Sequence, residues 1–539
     1  MTLVALLLLA ACHREPAPPQ QSHPPAPPPI TNTAPVPKPL EAKLPKTPDT
    51  PPVDRDLPAI AAAKTLKVLF TFNSTGYFIY RGETMGYEYD LLNQFAHDNG
   101  LRLAPVVVRD SNELFEKLNR GDGDVVAAQL AATADQTAVA MTQGLYETSP
   151  VVVQRNAAAP QGTTPSTSTA IARAERESTP SPIEVRARLV TTPRELGGQQ
   201  VTIPRTSPYR TSLLELNNEL TQDVDIVEVD DSSDRLIQKT AEGAIGYTVA
   251  AENLAQLKAG EFTNLVIKPA IGPPQPIIWA VRRNAPALLD ALNKFVDARR
   301  KQGLLGALYK RYFLDRRGFQ SRASSPFLTA ETGTLSPYDD VFRQAAAIPG
   351  WDWRLVAAQA FQESKFNPNA RSWAGAVGVM QIMPKTARQL RIDPRDPRQA
   401  IAGACRYLWT LDDAWKEIAD EDERIKFILG SYNVGTGHVQ DAVRLAEKHG
   451  DDAKKWDDVG YWLVRKSQRA VYNDPVVKHG YCRGTEPVAY VDAIMARWAN
   501  YKEFVIGNAA VPPAGTAASR RRRRDASGPA AETAAFPAP

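Results

Sequence analysis

Cysteine is scarce in this 539-residue chain: only three, at positions 12, 405 and 482. So few exclude a scaffold held together mainly by disulfides. The six histidines are scattered, and no Cys/His group has metal-ligand spacing, so neither a metal nor a cofactor is expected. An excess of one charge is missing too. Sixty-four Lys and Arg oppose 60 Asp and Glu, for a net +4, which gives no reason to expect a nucleic-acid partner. The N-terminal apolar run Leu3–Ala11 is far too short to span a bilayer. What remains is ordinary globular composition, 43% hydrophobic and 23% charged, at a length that asks for two or three compact units.

Proline is the exception to scarcity, with 44 residues concentrated toward the N-terminus. Ahead of them, residues 1–11 suit the apolar core of a signal peptide, although no Lys or Arg precedes the run. Leu9-Ala10-Ala11-Cys12 resembles the lipobox of bacterial lipoproteins. That resemblance implies acylation of Cys12 and a stable lipid anchor. His13 stands where an aspartate would signal inner-membrane retention, so the outer membrane, on its periplasmic face, is the expected location. Residues 12–58 are rich in Pro, Ala, Thr and Lys and cannot bury enough apolar surface to fold. As extended polyproline II they would form a tether reaching up to ~120 Å. A disordered tail is expected over 506–539, with Arg520–Arg524 inside it. Cys405 and Cys482 leave two alternatives. One is a bridge closing a long loop, contributing at most ~4 kcal/mol; the other is a pair of buried free thiols.

Over residues 59–316 strand-like and helix-like stretches alternate. Strands are predicted at Leu66–Phe70, Leu103–Val108 and Asp124–Gln129, with helices at Tyr89–Asn99 and Asn112–Arg120. A second set follows from Val201, with strands near Val224–Val229 and Ala244–Val249 and helices near Ser212–Leu220 and Ser232–Glu242. Ile277–Val281 and a helix at Pro286–Gln302 complete the region. The alternation implies an α/β fold with a largely parallel sheet. Between the sets, about 157–185 reads as a disordered surface insertion. Gly86-Tyr87-Glu88-Tyr89-Asp90-Leu91, Gly121-Asp122-Gly123-Asp124 and Gly303–Phe313 stand in the order found in the family 3 extracellular solute-binding proteins, which this region resembles. The resemblance implies two α/β lobes around a ligand cleft. It also implies an arginine for a ligand carboxylate and an aspartate for a ligand amine, but Gln136 and Ala251 stand at those positions. Capture of a free amino acid is therefore not expected. A stem-peptide ligand and a purely structural role both remain open.

From Pro337 to Tyr501 the pattern turns helical. Asp352 can cap a helix running to Ser364, on which Val356, Ala360 and Glu363 share one face. A carboxyl on an apolar stripe is costly to ionise, which raises its pKa toward the value a general acid needs near neutral pH. Four elements follow one another: Glu363-Ser364, Gly378-Val379-Met380-Gln381, Ser431-Tyr432-Asn433 and Glu486-Pro487-Val488-Ala489-Tyr490. In this order they resemble the motifs of the family 1 lytic transglycosylases, which have a lysozyme-like fold, with Val379 for Leu and Ser431 for Ala.

Residues 326–505 are then expected to be a catalytic domain acting on peptidoglycan glycan strands. The resemblance implies that Glu363 protonates the bond between N-acetylmuramic acid and N-acetylglucosamine, then acts as base while the muramoyl 6-hydroxyl attacks C1. The products would carry 1,6-anhydro ends. It implies sugar contacts for Ser364, Gln381 and Asn433, cleft walls from Met380 and Tyr432, and a hydroxyl from Tyr490 near Glu363. It assigns no second carboxylate, which fits assistance by the substrate's own N-acetyl group. Gly375, Gly378 and Gly435 are expected to serve turns. Trp351 and Trp373 could stack on sugars or fill the core.

The whole is read as multidomain, a two-lobed α/β periplasmic-binding-protein-like domain followed by a mainly α lysozyme-like domain. The order resembles the membrane-bound lytic murein transglycosylase F family, while Gly-Val-Met-Gln-Ile-Met-Pro is closer to the soluble enzymes. Two other functions fit the residues less well: a goose-type lysozyme, which hydrolyses the same bond, and a non-catalytic wall-peptide binder. Product chemistry separates the first from a transglycosylase. A binding domain that senses stem peptide and shifts the catalytic domain between states is a further expectation from the fusion.

Overall fold

The computed structural model describes residues 50–132, 139–156, 188–205 and 207–505. The expected leader with Cys12, most of the tether, the 157–185 insertion, Gln136 and the tail lie outside the described residues.

Strand β1 (Thr65–Phe70) buries Leu66, Val68, Leu69 and Phe70, so apolar side chains leave both faces of the sheet. That is the mark of a parallel strand covered on two sides by helices. It pairs in parallel with β4 (Arg102–Val107) and β5 (Val125–Ala131). Strand β13 (Gln275–Val281) returns antiparallel to β5 and carries the short β6 (Ala140–Met141) and β7 (Tyr146–Thr148). A hairpin, β2 (Phe78–Tyr80) and β3 (Glu83–Met85), stands off this lobe.

The second lobe has the order β10-β9-β11-β8-β12, from Asp225–Val229, Gln200–Pro204, Tyr247–Ala251, Pro150–Arg155 and Leu265–Ala270. Only Ser149 separates β7 in one lobe from β8 in the other, and the chain crosses back between Ala270 and Gln275. Between the lobes, Ser74 Oγ donates to Asp234 Oδ1 at 2.6 Å, with Lys258 Nζ 3.6 Å from the same oxygen. All three residues are buried.

The tether expected through residue 58 is held against this domain over its last residues. Arg55 pairs with the fully buried Asp124 at 2.8 Å. The Asp56 carboxylate accepts from the backbone N–H of Leu57, Ala287 and Leu288, so it caps two helix starts at once. Charge pairing and capping, which composition does not register, fix this stretch.

The segment after Asp315 braces both lobes before the helical domain begins. Gln320 Nε2 donates to Gly260 O at 2.6 Å, and Arg81 N–H donates to Phe327 O at 2.9 Å. The helical domain has one apolar cluster, formed chiefly by helices Trp353–Ser364, Pro397–Asp412, Glu421–Val434 and Thr485–Phe504. Asp352, Asp396 and Asp420 cap the first three of these helices with their side chains. Ile79 of the hairpin belongs to the same cluster. Cys405 and Cys482 are buried free thiols, which settles the two alternatives in favour of the unbridged pair. Burial pushes Cys482 up to about 11.

Candidate active site

Glu363 occupies the last turn of helix Trp353–Ser364, where Val356 and Ala360 are fully buried on the face expected for them. The helix stops because Lys365 and Phe366 adopt positive φ, 52° and 63°. This reversal leaves the carboxyl at the edge of a cleft of about 620 Å³ rather than inside a continuing helix. Helix Thr485–Phe504 packs alongside and brings Tyr490, whose hydroxyl donates to Glu363 Oε1 at 2.5 Å. Gln359, one turn before Glu363, donates through Nε2 to the Tyr490 oxygen at 3.2 Å. Burial pushes the Glu363 pKa up to about 8, against a smaller lowering by the Tyr490 hydrogen bond. At neutral pH the group is therefore mostly protonated.

The loop after Glu363 forms the opposite wall. Gly378 has φ +83°, and a Cβ there would lie 1.8 Å from the Pro394 carbonyl oxygen, so only glycine fits. Gly375 and Gly435 also have positive φ, at +90° and +91°. Gln381 lines the cleft with a strained φ of 45°. Its Nε2 donates to the carbonyls of Gly378 at 2.9 Å and Ala370 at 3.2 Å, leaving Oε1 for other partners. Tyr432 and Asn433, near the end of helix Glu421–Val434, line the floor. Tyr432 donates its hydroxyl to Met380 O at 2.9 Å. Asn433 Oδ1 is buried and accepts no hydrogen bond, which suits an acceptor awaiting a ligand donor.

Two expected site residues are placed differently. Ser364 does not line the cleft; its hydroxyl donates to Val379 O at 2.8 Å and ties the helix end to the facing loop. Met380 is fully buried in the core beneath the cleft, and only its carbonyl reaches a site residue. The two tryptophans divide. Trp351 is core, whereas Trp373 is 75% exposed.

A carboxylate that received no role does face the cleft. Glu486 opens the fourth motif, one helical turn before Tyr490, with Oε1 3.1 Å from Arg483 and a buried, unpartnered Oε2. Gln359 likewise sits one turn from Glu363. The i, i+4 spacing to each of the two expected residues was the available signal for both. Among the described residues no cluster of His, Cys, Asp or Glu could hold a metal.

Residues 340–455 match the family of transglycosylase SLT domains, and residues 69–315 match the bacterial extracellular solute-binding proteins, family 3. The chain is 30% identical over 436 residues to membrane-bound lytic murein transglycosylase F of Pseudomonas fluorescens strain Pf0-1, spanning 79% of this chain and 82% of that protein. The Shewanella pealeana protein of the same name is 31% identical over 412 residues, spanning 76% and 79%. That of Desulfosudis oleivorans is 29% identical over 437 residues, spanning 79% and 88%. The chain belongs to the membrane-bound lytic murein transglycosylase F family. The solute-binding domain precedes the transglycosylase domain in this chain, which is an enzyme of the lytic transglycosylase class.

In this transglycosylase F family chain the joint between the domains is close to the site. Gly82, at the tip of the β2–β3 hairpin, has φ +77°, and a Cβ there would lie 2.5 Å from Phe366 and 2.9 Å from Phe361. Tyr501 donates its hydroxyl to Gly82 O at 2.7 Å, and Asn500 Nδ2 donates to Thr84 Oγ1 at 2.8 Å. The helix that presents Tyr490 to Glu363 is therefore held at its other end by the solute-binding-like domain. Among the described residues no helix is long and apolar enough to cross a membrane.

Proposed function

We propose that this chain cleaves the glycosidic bond between N-acetylmuramic acid and N-acetylglucosamine in peptidoglycan, without water, through Glu363. The observation that carries the reading is a carboxyl with a pKa near 8 on the wall of a glycan-sized cleft, hydrogen-bonded to Tyr490. Glu363 donates its proton to the leaving oxygen as the bond to C1 breaks. The resulting carboxylate then takes the proton of the muramoyl 6-hydroxyl while that oxygen bonds to C1. One proton leaves Glu363 and one returns, so no water is needed. The substrate's N-acetyl oxygen stabilises C1 between the two steps.

Tyr490 orients Glu363 and stabilises the carboxylate formed midway. Asn433 Oδ1, Gln381 Oε1 and Glu486 Oε2 are acceptors for sugar N–H and O–H groups. Tyr432 shapes the floor, while Ser364 and Met380 act from behind it. Mass analysis of sacculi digested by the enzyme tests the reaction. Disaccharide products lighter by one water than hydrolytic ones are expected, and products of full hydrolytic mass would instead make the chain a lysozyme.

The remaining readings rest on sequence and on the joint. Acylation at Cys12 and anchoring at the outer membrane are supported by Leu9-Ala10-Ala11-Cys12 and His13. A stem peptide is the ligand proposed for the two-lobed domain. The contact of Gly82 with Phe361 and Phe366 supports coupling of that domain to Glu363, since any shift of the hairpin meets the catalytic helix end.

A further inference from the structure

Trp373 is the most exposed large hydrophobic side chain among the described residues, at 75%. An indole left in water forgoes the burial that its large apolar area would otherwise gain. The segment beneath it is firmly built. Ser372 N–H donates to Ala376 O, Gly375 N–H to Ser372 O, and Ala376 N–H to Ser372 Oγ, each at 3.0 Å. Arg371 and Val377 close the base with a bridge, and Val377 bridges on to Ile382 beside Gln381. The turn is thus locked to the loop that forms one cleft wall.

Ser372 and Ala374 both line the cleft, and Trp373 between them does not. With consecutive Cα atoms only ~3.8 Å apart, the backbone of Trp373 runs along the rim of the cleft, and its indole is in water outside the enclosed volume. Its turn neighbours are a serine, an alanine and a glycine, so it is a single flat plate rather than part of a broad apolar patch. A broad patch would suit a protein partner; one plate beside small residues suits a ring.

We propose that Trp373 is a stacking platform for a sugar ring of the glycan strand, one position beyond those held inside the cleft. The proposal rests on the reading of the cleft as a glycan site and adds to it an outer binding position. A pyranose offers a face of C–H groups with its hydroxyls around the edge. Laid on the indole, it covers apolar surface on both sides while its polar groups stay in water. The platform extends the grip along the strand, so it favours longer strands over short fragments.

The test is calorimetric titration of the Glu363→Gln protein, which holds substrate without turnover, with β-1,4-linked N-acetylglucosamine oligomers of two to six sugars. Affinity is expected to climb with length. On that background Trp373→Ala should weaken the longest oligomer about tenfold and leave the shortest unchanged, with Trp373→Tyr restoring most of the loss. Melting temperatures should not move, because the side chain packs little. An unchanged length dependence in Trp373→Ala overturns the platform. An equal loss at every length overturns it as well, since the effect would then lie inside the cleft. A loss seen only with peptide-bearing murein fragments would assign Trp373 to the stem peptide instead. If no oligomer binds even the Glu363→Gln protein, the glycan reading of the cleft falls and takes the platform with it.

Discussion

Tyr490 and Glu363 stand 127 residues apart in sequence, and a 2.5 Å hydrogen bond joins the phenol to the carboxyl. The bond favours the charged form of Glu363, whereas burial favours the neutral form, and burial wins. Removing the phenol should therefore raise the pKa of Glu363 further. For Tyr490→Phe the alkaline limb of the pH–rate profile should move to higher pH, while the rate at the optimum falls about tenfold or more. A limb that stays in place, measured by turbidity loss of sacculi from pH 5 to 10, would break the link between this hydrogen bond and the acid.

The same raised pKa has a consequence for stability. Below about pH 4.5 the carboxyl is protonated in both folded and unfolded chains and costs nothing. Between 4.5 and 8 the unfolded chain releases its proton while the folded one retains it, so the folded state loses ground, and above 8 the cost is complete. Glu363→Gln should therefore stabilise the protein at pH 8–9 by up to about 5 kcal/mol, a gain that vanishes toward pH 4.5. Thermal melts across that range would show it; a gain independent of pH would contradict the assignment of the shift.

Asn433 makes a contrasting prediction, since its Oδ1 is buried without a partner in the free protein. Asn433→Ala should leave the melting temperature unchanged or raise it, while weakening substrate binding about tenfold. KM for soluble glycan fragments is the measurement. An unaltered KM would mean that no sugar donor reaches this oxygen.

Gly82 tests the joint between domains. An alanine there would collide with Phe366, Phe361 and the Tyr501 hydroxyl, in a backbone region that disfavours side chains. Gly82→Ala should lower stability by about 1–3 kcal/mol. It should also raise hydrogen exchange in the 78–85 hairpin and the C-terminal half of helix Thr485–Phe504. Unchanged exchange in both would mean that the hairpin does not hold the helix.

Much of this was legible in sequence because local patterns encode it. The strand-and-helix alternation placed most elements of the two lobes within a few residues: Leu66–Phe70 for Thr65–Phe70, and Ser232–Glu242 for Ser233–Glu242. Strands β8 and β12 were not recognised, although β8 is a valine run, because antiparallel returns between the lobes depend on distant partners. At the site the burial of Glu363 followed from helix periodicity, whereas its proposed role as the acid comes from the resemblance of four motifs in order. The direction of neighbouring side chains followed from neither. Ser364 turns away because the Val379 carbonyl accepts its hydroxyl, and Met380 because its apolar side chain is buried in the core, neither of which side-chain type announces. Glu486 and Gln359 reach the site only through the packing of two helices more than 100 residues apart.

The central claim is that one buried acid performs the cleavage. Purified sacculi incubated with the native protein and with Glu363→Gln, followed by pelleting and product analysis, test it most directly. The native protein should release anhydro-ended fragments. The variant should pellet with the sacculi and release none. Undiminished release of those fragments by Glu363→Gln would contradict it.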